Sequence, residues 1–227
     1  MKVLFEDNHL LAVLKPPGLP TMGAGPGVPT LLDQAKAHIR EKYNKPGNVY
    51  LGIVSRLDAP VTGVVLMART SKAAARLSEA FRGRSVDKSY LAAIEGVPDQ
   101  DTATLVHHLR KDDRHRKVHV TTPDAADAQR AELSYEVLGD GPRGALLLVK
   151  LVTGRKHQIR VQLAKLGCPI VGDRKYGAQT SLPAGIALHA WRLALEHPVR
   201  RERLTITAPT PPAWSRFWPL SEARLPA

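Results

Sequence analysis

Ser55-Arg56-Leu57-Asp58 sets a guanidinium and a carboxylate two positions apart, where an apolar stretch gives out ahead of Gly63. A carboxylate so placed can act as nucleophile, general base, metal ligand, cap or ion-pair partner. No second acidic residue lies near Asp58 in the sequence. That argues against a two-carboxylate acid–base pair and against magnesium, which prefers several oxygen ligands. Far downstream stands a second dense segment, Gly154-Arg155-Lys156-His157-Gln158-Ile159-Arg160. If it opens a helix, Lys156, His157 and Arg160 can be presented together. Such a segment reads as a solvated basic face, or as a phosphate grip with one arginine turned inward to a buried carboxylate. An inward arginine would hold its partner ionised, typically lowering the carboxyl by ~1–3 units.

The elements that must position these residues follow from pattern. Val3 to Leu14 reads as two short strands joined by Glu6-Asp7-Asn8-His9, and Lys15-Pro16-Pro17-Gly18 ends them. Pro20 to Pro29 is a Gly/Pro loop without the Gly-Lys-Ser/Thr of a phosphate loop. Thr30 caps a helix from Leu31 to Tyr43, with Leu32, Ala35 and Ile39 at helical spacing. Val49 to Val54 predicts a strand leading into Arg56 and Asp58, and Gly63 to Ala68 another. Thr70-Ser71 caps a helix through Arg82. Tyr90–Ile94, Ala131–Leu138, Ala145–Val152, Ile186–Leu195 and Arg203–Thr207 read as strands. Gln158 to Leu166 reads as a helix closed by Gly167, and the tail with Trp214, Phe217 and Trp218 as a short packed helix. Strands dominate and no βαβ period appears. The expectation is an α+β fold on a mixed, mostly antiparallel sheet flanked by helices and loops.

Composition narrows the partner. The chain has 227 residues, enough for one large domain, and 43% hydrophobic residues, enough for a core. Lys plus Arg number 33 against 21 Asp plus Glu, a formal net charge of +12. Solubility alone needs only ~2–8 charges in a small domain, so the excess points to a polyanion. The lone cysteine, Cys168, excludes an intrachain disulfide and a cysteine zinc site, and suits a reducing compartment. No apolar run approaches the ~20 residues of a spanning helix, and the N-terminus does not read as a signal peptide. A cytoplasmic protein that does not engage membranes is expected. His115 and His119 have the i, i+4 spacing of a metal pair, but Arg114, Arg116 and Lys117 crowd them and no third ligand follows. The stretch His107 to His119 reads as a basic hairpin facing a polyanion, or as an ordinary solvated loop.

In order and type, these segments resemble the RluA family of RNA pseudouridine synthases. The resemblance runs from Asp7-Asn8-His9 and Lys15-Pro16-Pro17-Gly18 to Leu188-His189-Ala190. Arg56-Leu57-Asp58 with Gly63 is similar to the family's catalytic motif. Lys88-Ser89-Tyr90-Leu91-Ala92 is similar to its tyrosine-bearing strand. Gly154 to Val161, with Gly172-Asp173 and Tyr176-Gly177, is similar to its third motif. The resemblance implies an isomerase that converts uridine in structured ribosomal or transfer RNA to pseudouridine. Asp58 would be the catalytic carboxylate, and Arg160 would pair with it. Arg56 would enter the space left by the flipped base, and Tyr90 would stack on that base. Lys88, Arg155, Lys156 and His157 would bind the RNA. No metal, cofactor or nucleotide cofactor is implied, and a monomer is the default.

Ser55, Val61-Thr62 and Gln162 depart from the family's usual residues, which bears on substrate choice. The small N-terminal RNA-binding domain of many relatives is not expected, so residues 1–227 are read as one catalytic domain. A non-catalytic RNA-binding or RNA-folding protein on the same scaffold is the alternative.

Overall fold

The structure is a computed structural model and describes residues 1–141, 144–216 and 225. In chain order its elements are β1 (Lys2–Glu6), β2 (Leu10–Lys15), α1 (Leu31–Lys42), β3 (Gly52–Ile53), β4 (Thr62–Ala68) and α2 (Ser71–Arg82). Then come β5 (Asp87–Ile94), β6 (Thr102–Asp112), β7 (Lys117–Thr121), β8 (Gln129–Gly141), β9 (Gly144–Leu151), α3 (Gln158–Lys165), β10 (Leu188–Glu196) and β11 (Arg203–Thr207). The fold is the expected mixed, mostly antiparallel sheet with a few flanking helices. The chain forms two compact units, Met1–Asp87 with Ala190–Pro209, and Lys88–His189 with the chain from Thr210 on. No described helix is long and apolar enough to cross a membrane.

In the first unit the strands run β1-β2-β4-β10, with β3 on β4 and β11 on β10. The sequences of β2 and β4 are nearly unbroken apolar runs because both of their faces are covered. Leu10, Ala12, Leu66 and Ala68 pack with Ala73 and Leu77 of α2. Leu11, Val13, Val65 and Met67 pack with Leu31, Ala35 and Ile39 of α1. Strict alternation is what a strand shows when one face meets water, and neither face does here. Thr30 caps α1 in a full capping box with Asp33, and the Thr70 hydroxyl accepts from Ala73 N–H to start α2. Gly63 has φ +120°, and a Cβ there would come within 2.3 Å of Ala190 O. Only glycine permits that approach.

The expected strand Val49–Val54 is shorter, since only Gly52 and Ile53 pair, with Ala68 and Met67. Further along β4 the backbone of Ala190 already lies against Gly63. Val49 and Leu51 instead bury their side chains in the α1 cluster.

Glu6, at the end of β1, anchors α1. Its carboxylate lies 3.0 Å from His38 Nε2 and 2.9 Å from Lys42 Nζ, and accepts from Tyr43 Oη at 2.7 Å. Burial pushes the carboxyl up, but the bonds from His38, Tyr43 and Lys42 outweigh it and hold Glu6 at about 2. A folded value below the ordinary 4.5 means stability is fully present above pH 4.5 and lost as pH falls toward 2. Glu6→Gln should lower unfolding free energy at pH 7 by about 1–3 kcal/mol and flatten that acid limb. Urea titrations across this pH window check both effects.

The second unit orders its strands β5-β9-β8-β6-β7, paired antiparallel throughout. Here β6 does alternate: Thr102, Thr104 and Val106 are exposed, while Ala103, Leu105 and His107 are partly buried. One face is therefore open to water. On the other, Leu109, Val118 and Ala131 pack with Val161 of α3. The stretch His107 to His119 is a hairpin, with Asp112 opposite Lys117 across the turn. Trp214 lies in a short 3-10 turn, Pro212–Arg216, with its ring against His189. Phe217 and Trp218, expected in the same tail helix, lie outside the described residues.

Candidate active site

Asp58 sits in the loop between β3 and β4, partly exposed, and Arg56 beside it is exposed. The backbone on each side of Asp58 is tied down. On the N-terminal side, Thr21 Oγ1 donates to Leu57 O at 2.8 Å and accepts from Leu57 N at 3.1 Å. On the C-terminal side, Ala59 O accepts from Lys15 Nζ at 2.8 Å and from Gly18 N at 2.8 Å. Asp58 O itself accepts from Val61 N at 3.0 Å, closing the turn through Pro60.

Lys15 is fully buried at the end of β2, opposite Gly63 of β4. Its ammonium donates to three carbonyls, of Pro16, Leu19 and Ala59. That uses all three of its donors, which is how a buried ammonium avoids an unpaired proton. Burial pushes Lys15 down to about 8, with the Asp58 charge pulling the other way. The Lys-Pro-Pro-Gly segment thus both ends β2 and braces the Asp58 loop.

The second constellation surrounds α3. Its first helical residue is Gln158, so Lys156 and His157 precede the helix. His157 is left-handed, with φ 54°. Lys156 and Arg155 are exposed, while Arg160 turns inward at 5% exposure. The common helical face therefore does not form, because chain direction changes at His157. The inward arginine does occur. Arg160 Nε lies 2.6 Å from Asp173 Oδ2 and Nη2 2.8 Å from Asp173 Oδ1, a bidentate pair. Asp173 is 1% exposed. The Arg160 guanidinium also lies 5.1 Å from the centre of the Tyr176 ring. Tyr176 Oη accepts from Val118 N at 3.0 Å and lies 2.7 Å from His157 Nδ1. Gln158 closes the preceding loop: its Oε1 accepts from Arg155 N at 2.9 Å and from Thr153 Oγ1 at 2.8 Å.

Lys88 and Tyr90 lie on β5, whose residue Tyr90 pairs with Val149 of β9. A Cβ on Gly154 would meet Lys88 Nζ at 3.7 Å, so Lys88 borders the loop that leads to Arg155. Beside that loop is a groove of about 270 Å³ with Leu109 and Val118 among its lining, together with Lys111, Arg155, Lys156 and Asp113. On the hairpin, His115 Nδ1 and His119 Nε2 lie 2.7 and 3.6 Å from Asp112 Oδ2. Gln162 is fully buried; its amide donates to Leu105 O at 3.1 Å, fastening α3 to β6. Thr21, Lys15 and Asp173 as direct partners were not singled out by sequence reasoning. Lys15 carried a signal only through its place in Lys15-Pro16-Pro17-Gly18.

The family model described as RNA pseudouridylate synthase matches residues 9–165, which takes in Lys15, Asp58, Tyr90 and Arg160. The chain belongs to this family of RNA pseudouridine synthases, in its RluA-type branch. It is 34% identical over 221 residues to ribosomal large subunit pseudouridine synthase D of Nitrosomonas europaea. That match covers 93% of this chain and 62% of the relative. The synthase D of Xanthomonas campestris is also 34% identical, with 93% and 66% covered. The chain thus spans a little under two thirds of the length of these two relatives. Among solved structures, human RNA Pseudouridylate Synthase Domain Containing 4 is 28% identical with a TM-score of 0.79. That match covers 95% of this chain and 92% of the human one.

Proposed function

We propose that this chain isomerises specific uridines in structured RNA, ribosomal or transfer, to pseudouridine. The uracil N1–C1′ bond breaks, the base turns, and a C5–C1′ bond forms. C5 loses a proton and N1 gains one, so composition is unchanged. The observation that carries the reading is the carboxylate of Asp58, partly exposed in a loop whose backbone is fixed on both sides. It lies within the span that matches the family. Asp58 is assigned the covalent or basic role at the sugar or base. Arg160 is assigned to pairing with that carboxylate. The target base must leave the stack, which costs a few kcal/mol. Arg56 entering the vacancy and Tyr90 stacking on the uracil offset that cost, stacking being worth roughly 1–3 kcal/mol per base. Residues 1–227 are taken as one catalytic domain, acting as a monomer in the cytoplasm.

Lys88, Arg155, Lys156 and His157 are assigned to the RNA backbone. The exposure of Arg155 and Lys156 beside the groove supports this. Arg155→Ala and Lys156→Ala should each weaken RNA binding and reduce the slope of log K against log salt by about 0.7–0.9 for each phosphate no longer neutralised. Filter binding over a salt series reads that slope. An unchanged slope in both variants removes these residues from the interface.

Pseudouridine mapping of total RNA from cells with and without the protein tests the activity. Loss of pseudouridine at defined sites is expected. An identical map in both would favour the alternative, an RNA-binding protein on the same scaffold.

A further inference from the structure

We infer that Thr21 is a positioning residue for the reaction: its buried hydroxyl sets the direction in which Arg56 and Asp58 face the RNA. The inference rests on the assignment of Asp58 as the catalytic carboxylate. Thr21 is 3% exposed and lies in the Gly/Pro loop between β2 and α1. Its one oxygen makes two bonds to the same residue, donating to Leu57 O and accepting from Leu57 N. The side chain thereby does what a neighbouring strand would do, satisfying both backbone groups of Leu57 where the chain has left the sheet.

Leu57 is the residue between Arg56 and Asp58. Its side chain packs against the α1 cluster, together with Leu19 from the Thr21 loop. In extended chain, neighbours point to opposite sides and residues two apart point the same way. Arg56 exposed, Leu57 packed inward and Asp58 partly exposed follow that alternation. Fixing both polar groups of Leu57 therefore fixes the side to which Arg56 and Asp58 project. The Lys15 and Gly18 bonds to Ala59 hold the other end, but neither reaches the peptide groups of Leu57. The Thr21 loop is itself secured, since Pro20 O and Thr21 O accept from Leu31 N and Leu32 N at the start of α1. A β-branched side chain is stiff at χ1, so the hydroxyl is aimed with little freedom.

The test uses Thr21→Val, which keeps the shape and removes both bonds, and Thr21→Ser, which keeps the hydroxyl. The substrate is bulk RNA labelled with [5-³H]uridine from cells lacking the protein, and turnover is counted per folded protein from circular dichroism. Thr21→Val should lower kcat by ~10–100-fold, the scale expected for a misplaced reacting group. KM and RNA affinity should stay within about twofold, since phosphate contacts position the RNA and are untouched. Thr21→Ser should recover to within about threefold of wild type, because its hydroxyl makes the same two bonds. Wild-type turnover by Thr21→Val, or a loss no larger than its unfolded fraction, overturns the inference. So does a Thr21→Ser as impaired as Thr21→Val. Asp58→Asn run alongside separates the two levels. If it is active, the underlying assignment fails; if it is dead while Thr21→Val is unimpaired, only the role of Thr21 fails.

Discussion

Asp58→Asn should eliminate pseudouridine formation, lowering turnover by at least ~10⁴-fold, the scale seen when a group at the reacting atoms is removed. Asparagine preserves size and the ability to accept a hydrogen bond, but it is neither a nucleophile of use nor a base. The loop should keep its form, because its anchors are backbone groups: Leu57 on Thr21, Ala59 on Lys15 and Gly18. RNA affinity should therefore stay near wild type. Losing turnover while retaining affinity is the pattern of an interaction made only in the transition state. Equilibrium binding and single-turnover rates on the same preparation measure both halves.

Asp173→Ala should cost about 3–5 kcal/mol of stability, because it strips a buried guanidinium of its bidentate partner. Arg160 and Asp173 are 5% and 1% exposed, and their two bonds are 2.6 and 2.8 Å. The damage should spread. Arg160 lies in the first turn of the helix that packs on β6 and β7 through Val161, and Asp173 caps the short turn that carries Tyr176 to Val118. Asp173→Asn, which keeps an acceptor, should cost less. Urea unfolding gives the comparison, and a change below about 1 kcal/mol for Asp173→Ala would place the pair among weak surface interactions.

Local signals were legible in the sequence wherever one element owns them. Thr30 and Thr70 mark helix starts because a cap is a bond within four residues. The apolar runs of β2 and β4 stand out because both faces are buried. What escaped was set by distant partners. The length of β6 was hidden by its polar, water-facing alternation. Val49–Val54 has the composition of a strand, but only Gly52 and Ile53 pair with β4. Lys156, His157 and Arg160 have helical spacing, yet the left-handed His157 turns them apart. At the site, the motif residues Arg56, Asp58, Tyr90 and Arg160 were readable by type and order. Thr21 and Asp173, which hold two of those segments in place, act across 36 and 13 positions of chain, so their pairings leave no local pattern.

The most direct measurement is hydrogen release from uracil C5. RNA labelled with [5-³H]uridine, incubated with the wild-type protein, should yield tritiated water in proportion to the pseudouridine formed, because C5 gives up its hydrogen to the new carbon–carbon bond. Asp58→Asn should release none above background while still binding the RNA. Release by Asp58→Asn at a rate near wild type, or none from the wild-type protein on RNA it binds, would contradict an isomerisation driven by the Asp58 carboxylate.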